Sequence, residues 1–277
     1  MMDLLCIYHF PCQDGFTAAW VVWQAYKGKI DMFPAKYQMP PPDVRGRNVI
    51  FVDFAYKRDV MLKIMDEAKS VTVLDHHQSA IEDLKDIPFT ESVFNIECSG
   101  AGIAWDFYNS TPRPALIKHV EDRDLWKFMH HGTREISARL FAEEYRLNEW
   151  TDHVRRLESE VFWHDWYNEG AAILKKQMKD IRELIEMTCR TMYIAGHRVP
   201  VCCIPYTMVS EAGNILAEDE KFAACYWDSE HGREFSLRSR PSGEDVSVIA
   251  FQYGGGGHKH AAGFRVPFNK LADLGLL

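Results

Sequence analysis

The segment Val71-Thr72-Val73-Leu74-Asp75-His76-His77 constrains this 277-residue chain more than any other. Its first four residues are apolar or β-branched and read as a short buried strand. The strand ends on a carboxylate and two imidazoles with no spacer. Side chains alternate faces along an extended chain, so three consecutive polar groups cannot all serve a core. At the C-terminal mouth of a parallel sheet, where α/β proteins bind ligands, they can converge on a metal ion or a phosphate. The plainer reading, a polar turn, accounts for the tripeptide alone and has to be weighed against the rest of the chain.

The same punctuation recurs. Leu4–Tyr8 reads as a strand, followed by a polar turn from His9 to Asp14 and an apolar helix from Gly15 to Tyr26. Val49–Val52 reads as a strand ending at Asp53, and Lys57–Ser70 has helical spacing. This alternation predicts an α/β fold with an open, mostly parallel sheet and flanking helices, whose strand C-termini share one edge. Ser99-Gly100-Ala101-Gly102 opens a further helix to Tyr108, and Ala115–Val120 leads into Glu121-Asp122-Arg123-Asp124. Taken singly, a His or Asp after a strand is more often a satisfied polar group or a helix cap. Taken together, His9, Asp14, Asp53, Asp75, His76, His77 and Asp122 or Asp124 suit a binuclear metal site. Mixed imidazole and carboxylate donors favour Mn²⁺ over Ca²⁺, and ligand type alone leaves Mg²⁺, Co²⁺ and Zn²⁺ open.

The stretch 134–190 is charged and helix-like, and the composition changes near Met192. Strands are expected at Tyr193–Cys203, Phe222–Trp227 and Glu234–Arg238, with a helix at Val209–Ala217. The four glycines Gly254 to Gly257 would let backbone amides approach an anion closely. His258 would then start a helix, and Ala261-Ala262-Gly263 would let it pack tightly. Arg238 offers a planar, bidentate guanidinium to a phosphate or carboxylate, although a solvated surface Arg is an equal reading. Cys202, Cys203, Trp20, Trp23, Trp105 and Trp126 read most simply as core. The expected organisation is a catalytic domain over 1–133, a helical bridge over 134–190 and a smaller α+β domain over 191–277.

Forty acidic residues against 32 basic ones give a net charge of −8, which argues against a general grip on long duplex nucleic acid. A phosphate substrate remains compatible, because bound metal ions supply positive charge locally. Seven scattered cysteines, with no CxxC pair, point to a reducing cytoplasm rather than a disulfide framework. The first residues lack a basic n-region, and no run of about 20 apolar residues exists, so neither a signal peptide nor a membrane span is expected.

The motifs together resemble the DHH/DHHA1 phosphoesterases, which include RecJ-like nucleases, nanoRNases, cyclic-dinucleotide phosphodiesterases and exopolyphosphatase-like proteins. His9-x4-Asp14-Gly15 is similar to the family's first motif, Asp53 to its second, Asp75-His76-His77 to its third and Asp122 to its fourth. Ser236–Ser239 and Gly254–Phe264 resemble the DHHA1 signature, and the turn ending in Asp-Gly-Phe is most similar to the oligoribonuclease B branch. The resemblance implies two divalent ions, with His9 on the first, Asp14, His76 and Asp122 (or Asp124) on the second, and Asp53 bridging. It implies that Asp75 orients a neighbouring histidine, that His77 faces the scissile phosphate, and that Arg238, Gly255, Gly256, Gly257, His258 and His260 hold the substrate. Many family members carry an Asp where this chain has Cys12, which implies a weaker or more thiophilic first site. The implied activity is two-metal hydrolysis of short oligoribonucleotides or of linear or cyclic dinucleotides. A phosphomonoesterase or exopolyphosphatase, for example one acting on 3′-phosphoadenosine 5′-phosphate, and a catalytically weakened nucleotide-binding protein are the alternatives. An oligomer is compatible with all three.

Overall fold

The computed structural model describes residues 2–37 and 39–276. Two compact units divide the chain, Met1–Leu174 and Lys175–Leu277. In chain order the first contains β1 (Leu4–His9), α1 (Gln13–Ala25), β2 (Asp31–Ala35), β3 (Asn48–Val52), α2 (Arg58–Glu67), β4 (Ser70–Asp75), α3 (Gln78–Asp83), β5 (Glu91–Phe94), α4 (Gly100–Tyr108), α5 (Ala115–Asp124), α6 (Thr133–Leu140) and α7 (Leu147–Leu157). The long helix α8 (Glu160–Thr188) contains the unit boundary. β6 (Arg190–Ile194), β7 (His197–Cys203), α9 (Val209–Leu216), β8 (Ala223–Ser229), β9 (Gly232–Arg238), α10 (Val246–Gln252), β10 (Gly256–His258) and β11 (Ala261–Val266) follow.

The first unit is a five-stranded sheet in the order β2-β1-β3-β4-β5, every pair parallel. The three expected strands are its centre, because their continuous apolar runs are buried on both faces. Cys6, Tyr8, Ile50, Val52 and Leu74 pack with α1, α4 and α5 on one side; Leu5, Ile7, Val49, Phe51, Val71 and Val73 pack with α2 on the other. The two strands the sequence hid are the edges. Asp31-Met32-Phe33-Pro34-Ala35 contains a proline, which an edge tolerates because one side of its backbone needs no donor. Glu91–Phe94 has three exposed residues out of four, so it carries no apolar run to detect. Part of the charged stretch after residue 134 is core: Ile136, Leu140, Trp150, Leu157 and Trp166 are all buried in the first unit.

The second unit is a six-stranded mixed sheet, β10-β11-β9-β8-β7-β6, with only β7 and β8 parallel. The expected strand Tyr193–Cys203 is a hairpin, turned by Ala195 (φ 49°) and Gly196 (φ 80°). The glycine run starts no helix. Gly256–His258 is a strand paired with Ala261–Val266, so the expected helix beginning at His258 is a β-hairpin. A Cβ on Gly257 would meet the Ala261 carbonyl oxygen at 2.6 Å, and the residue sits at φ 141°. One on Gly255 would strike the Gly263 carbonyl oxygen. The glycines there allow close approach of a neighbouring strand.

Candidate metal centre

The C-terminal ends of β1, β3 and β4 point the same way in the parallel sheet, and each delivers its polar residues to one edge. His9 ends β1, Asp53 follows β3, and Asp75-His76-His77 closes β4. Asp14 lies in the first turn of α1, directly after the β1 turn.

Asp53 is the hub. His76 Nε2 lies 3.1 Å from its Oδ1, and His9 Nδ1 lies 3.5 Å from its Oδ2. The backbone there has φ 52°, the left-handed region, which a short polar side chain tolerates better than a branched one. Its amide still donates to the Leu74 carbonyl at 3.0 Å, so the residue is pinned to β4 as its chain turns. Around His76 Nε2 also stand Asp124 Oδ2 at 3.5 Å and Asp14 Oδ2 at 3.7 Å.

Asp75 has no exposure at all and works behind the site. Its Oδ1 accepts from the His76 amide at 2.7 Å and from His77 Nδ1 at 2.7 Å. That bond puts a proton on Nδ1 and sets the direction of the ring, and Nε2 is the atom that would meet a metal ion. Asp14 is positioned by α4, a helix expected from sequence without a role at this site. The Gly100 amide donates to Asp14 Oδ2 at 2.6 Å and the Ala101 amide to Oδ1 at 2.9 Å, so the N-terminus of α4 cradles the carboxylate. Ser99, the cap of α4, accepts from the Gly102 amide at 3.1 Å. Arg113 holds both oxygens of Glu121, at 2.7 and 2.6 Å, and Glu121 accepts from the Ser99 amide at 3.0 Å. A Cβ on Gly100 would lie 2.5 Å from Asp53 Cβ. The run of small residues in Ser99-Gly100-Ala101-Gly102 was the available signal.

Asp122 corrects the expected ligand set. Positions 122 and 124 are two apart on α5 and therefore face different ways. The Asp122 carboxylate accepts from the Met129 amide at 2.7 Å, the His130 amide at 2.9 Å and the Thr133 hydroxyl at 2.6 Å. The residue that reaches His76 is Asp124. Tyr37 and Phe54 were missed as well. Tyr37 is 49% exposed as a residue, and its ring sits 5.6 Å from the His9 ring and 5.2 Å from Phe54, at the rim of the cluster.

Charge shows what the site lacks. Burial and the Asp53 and Asp124 carboxylates push Asp14 well above the usual carboxylate range, and desolvation beside Asp53 raises Asp124. Burial raises Asp53 too, but hydrogen bonds from His76 and His9 outweigh it and hold it well below that range. Burial would lower His76, yet the carboxylates of Asp53, Asp124 and Asp14 raise it far above an ordinary imidazole. The excess is negative, and a divalent cation answers it. Two groups, His9/Asp53/His77 and Asp14/Asp53/His76, each bring their donor atoms within 4.8 Å of one another. They share Asp53, as a bridging carboxylate requires, so the donor set fits two divalent ions. Desolvation and the same three carboxylates push the Cys12 thiol well up, so it offers a protonated sulfur, a poor donor.

The residues expected to hold substrate lie in the second unit. Arg238 donates to Ser236 Oγ at 2.9 Å, to the Leu237 carbonyl at 2.8 Å and to Ser210 Oγ at 2.8 Å, so its guanidinium is committed to its own unit. His260 Nδ1 bonds Ser239 Oγ at 2.9 Å. His258, Gly256 and Gly257 form β10, with Gly255 immediately before it.

This arrangement is the fold of the DHH phosphoesterases. The pGpG-specific phosphodiesterase PggH from Vibrio cholerae superposes with a TM-score of 0.52 at 12% identity, covering 98% of this chain and 96% of that one. A solved DHH domain, from a protein assigned to a family of ribosomal proteins, gives 0.57 at 13% identity, over 99% and 84%. An exopolyphosphatase-related protein from Bacteroides fragilis gives 0.50 at 12% identity, over 98% and 90%. In sequence the chain is 30% identical to the uncharacterized protein R106 of Acanthamoeba polyphaga mimivirus, over 98% of its own length and 71% of that protein. The chain belongs to one family with that viral protein. No protein-family model matches it. Among the described residues no helix is long and apolar enough to cross a membrane.

Proposed function

We propose that this protein is a metal-dependent phosphodiesterase that hydrolyses short oligoribonucleotides or dinucleotides. The observation that carries the reading is Asp53, shared between two three-residue donor groups at the mouth of a parallel sheet. His9, Asp53 and His77 would hold one ion, and Asp14, Asp53, His76 and Asp124 the other. Divalent ions there supply a water of lowered pKa and positive charge for the leaving oxygen.

The chain's own residues do the rest. Asp75 holds the His77 ring through its Nδ1–H, so that Nε2 would meet a metal ion as a lone pair or, when protonated, a phosphate oxygen as a donor. The α4 amides hold Asp14 with both oxygens occupied, so its geometry is set before any ion arrives. Burial of Asp14, Asp53 and His76 keeps bulk water from screening the site. No serine or cysteine nucleophile is needed. The ions are read as Mn²⁺, with the first more weakly held because Cys12 replaces a carboxylate. Arg238 and the glycine-rich hairpin are read as contacts for the substrate end, which requires Arg238 to exchange Ser210 for an anion.

The test is hydrolysis by purified protein, with and without Mn²⁺, of pApA, a four-nucleotide RNA, cyclic di-AMP, 3′-phosphoadenosine 5′-phosphate and polyphosphate. Metal-dependent release of mononucleotides from pApA or the RNA, abolished by His76→Ala, supports the reading. Turnover of only the last two substrates would replace it with the phosphomonoesterase or polyphosphatase alternative. Nucleotide binding with no turnover would leave the weakened-enzyme alternative.

A further inference from the structure

We propose that the loop Leu125–His131, with Arg123 and Arg134 beside it, is a surface that binds the single-stranded nucleic-acid substrate beyond the scissile phosphate. The inference rests on the phosphodiesterase reading above and names the part of the first unit that would hold the strand.

The backbone is the first argument. Trp126 has φ 57° and Phe128 φ 50°, two bulky aromatic residues in the left-handed region within three positions. Each costs on the order of 1–3 kcal/mol and persists only where its surroundings over-determine it. Asp122 does so: its carbonyl accepts from the Lys127 and Phe128 amides at 2.9 and 3.3 Å, and its carboxylate from the Met129 and His130 amides. A chain reversal alone would be made more cheaply with glycine. Strain held this firmly, at two half-buried rings, marks a segment whose shape the fold imposes for more than a turn.

The side chains are the second argument. Trp126, expected from sequence in the core, lies outside it. Its ring meets Phe128 edge-on at 4.9 Å, the Arg134 guanidinium lies 3.6 Å over Phe128, and the Arg123 guanidinium 4.4 Å over Trp126. Met129 at the tip is 81% exposed, and Lys127 and Arg134 are exposed as well. From Arg123 to Arg134 the chain has three basic residues against one acid, in a protein of net charge −8. Rings and guanidinium groups on one loop are the groups on which single-stranded nucleic acid stacks and pairs its phosphates, a base taking the place of a guanidinium over a ring and a phosphate that of the guanidinium's present partner.

Position is the third. The loop follows Asp124 directly in the chain, and the Asp124 carboxylate is 3.5 Å from His76 Nε2, so α5 ends between the candidate metal ligands and this loop.

The experiment uses the full chain. Binding of an end-labelled four-nucleotide RNA is followed by fluorescence polarisation after metal removal, and KM and kcat are measured with Mn²⁺ on the same RNA and on a mononucleotide p-nitrophenyl ester. Phe128→Ala and Arg134→Ala should each weaken RNA binding about tenfold. They should raise KM for RNA with kcat unchanged and leave the mononucleotide ester unaffected. Arg134→Ala should also flatten the salt dependence of binding. Phe128→Tyr, which keeps the ring, should bind within twofold of wild type and so separates loss of stacking from loss of folding. Wild-type protein that binds and cleaves RNA while the alanine variants match it within twofold overturns the surface alone. Wild-type protein that neither binds nor cleaves any nucleotide overturns the phosphodiesterase reading and the surface with it.

Discussion

The Asp14 carboxylate receives the Gly100 amide at 2.6 Å, so the N-terminus of one helix is aimed at the first turn of another, at a candidate metal ligand. The contact is possible only because residue 100 has no side chain. Gly100→Ala would ordinarily favour a helix by about 1 kcal/mol. Here the new methyl would lie 2.5 Å from Asp53 Cβ and 2.9 Å from Asp14 Oδ2. Crowding wins: we expect a net loss of about 2 kcal/mol in thermal or urea unfolding. Mn²⁺ affinity, read by calorimetry, should fall at least tenfold.

Asp122 and Asp124 should respond in opposite ways. Asp122→Ala strips the acceptor from two amides and the Thr133 hydroxyl, at a cost of about 3 kcal/mol in folding stability. Asp124→Asn should leave the metal-free protein as stable or more so, since it removes a charge that repels Asp53 and Asp14. Its effect should fall on metal affinity. Denaturant titration and Mn²⁺ calorimetry of both variants check the pair.

Metal binding should release protons. Asp14 and His76 both have pKa values raised above their usual ranges in the metal-free protein, so protons occupy part of the place a cation would take. A ligand must lose its proton to bind, so apparent affinity rises with pH, about tenfold per unit for each proton displaced. Calorimetry in two buffers of different ionisation heat, at pH 6.5 and 7.5, counts the protons directly. A release of none would show that the donors are already deprotonated.

His119 should set an acid limit on stability. The indole of Trp163 donates to its Nε2 at 3.4 Å, which places the proton on Nδ1, facing Thr133 Oγ1 at 2.9 Å. Burial and the neighbouring His130 lower its pKa from 6.5 to about 4. The folded state therefore prefers the neutral ring, while the unfolded chain takes up a proton below about pH 6.5. Stability from this group is complete above pH 6.5 and is lost as pH falls towards 4, by up to about 3 kcal/mol. His119→Gln should lower stability at pH 7.5 yet flatten this acid slope, as measured by denaturant unfolding across pH 4.5–7.5.

Legibility in the sequence follows burial. The central strands β1, β3 and β4 are apolar runs ending in polar clusters, and His9, Asp53 and His76 converge as their positions at strand ends require, with Asp14 added from the first turn of α1. The edges β2 and β5 stay hidden because half-exposed strands with proline or polar residues have no pattern to find. Asp122 and Asp124 cannot be separated by composition, because two acids on one turn differ only in direction. The glycine run reads as a cradle opening a helix, whereas its short-range contacts are with a neighbouring strand. Gly100 and Ala101 leave only a faint trace, the run of small residues around them, because they act through main-chain amides, which every residue but proline has.

Asp53 carries a consequence of its own. Its left-handed backbone restricts the occupants of that position to residues comfortable there, chiefly glycine, asparagine and aspartate. Of these only aspartate brings a charge that can bridge two cations. The replacements that the main chain accepts most easily are therefore the ones that disarm the centre while leaving its architecture standing. At this single residue folding and chemistry come apart, and a copy carrying asparagine there would be well folded, of nearly the same shape, and inert.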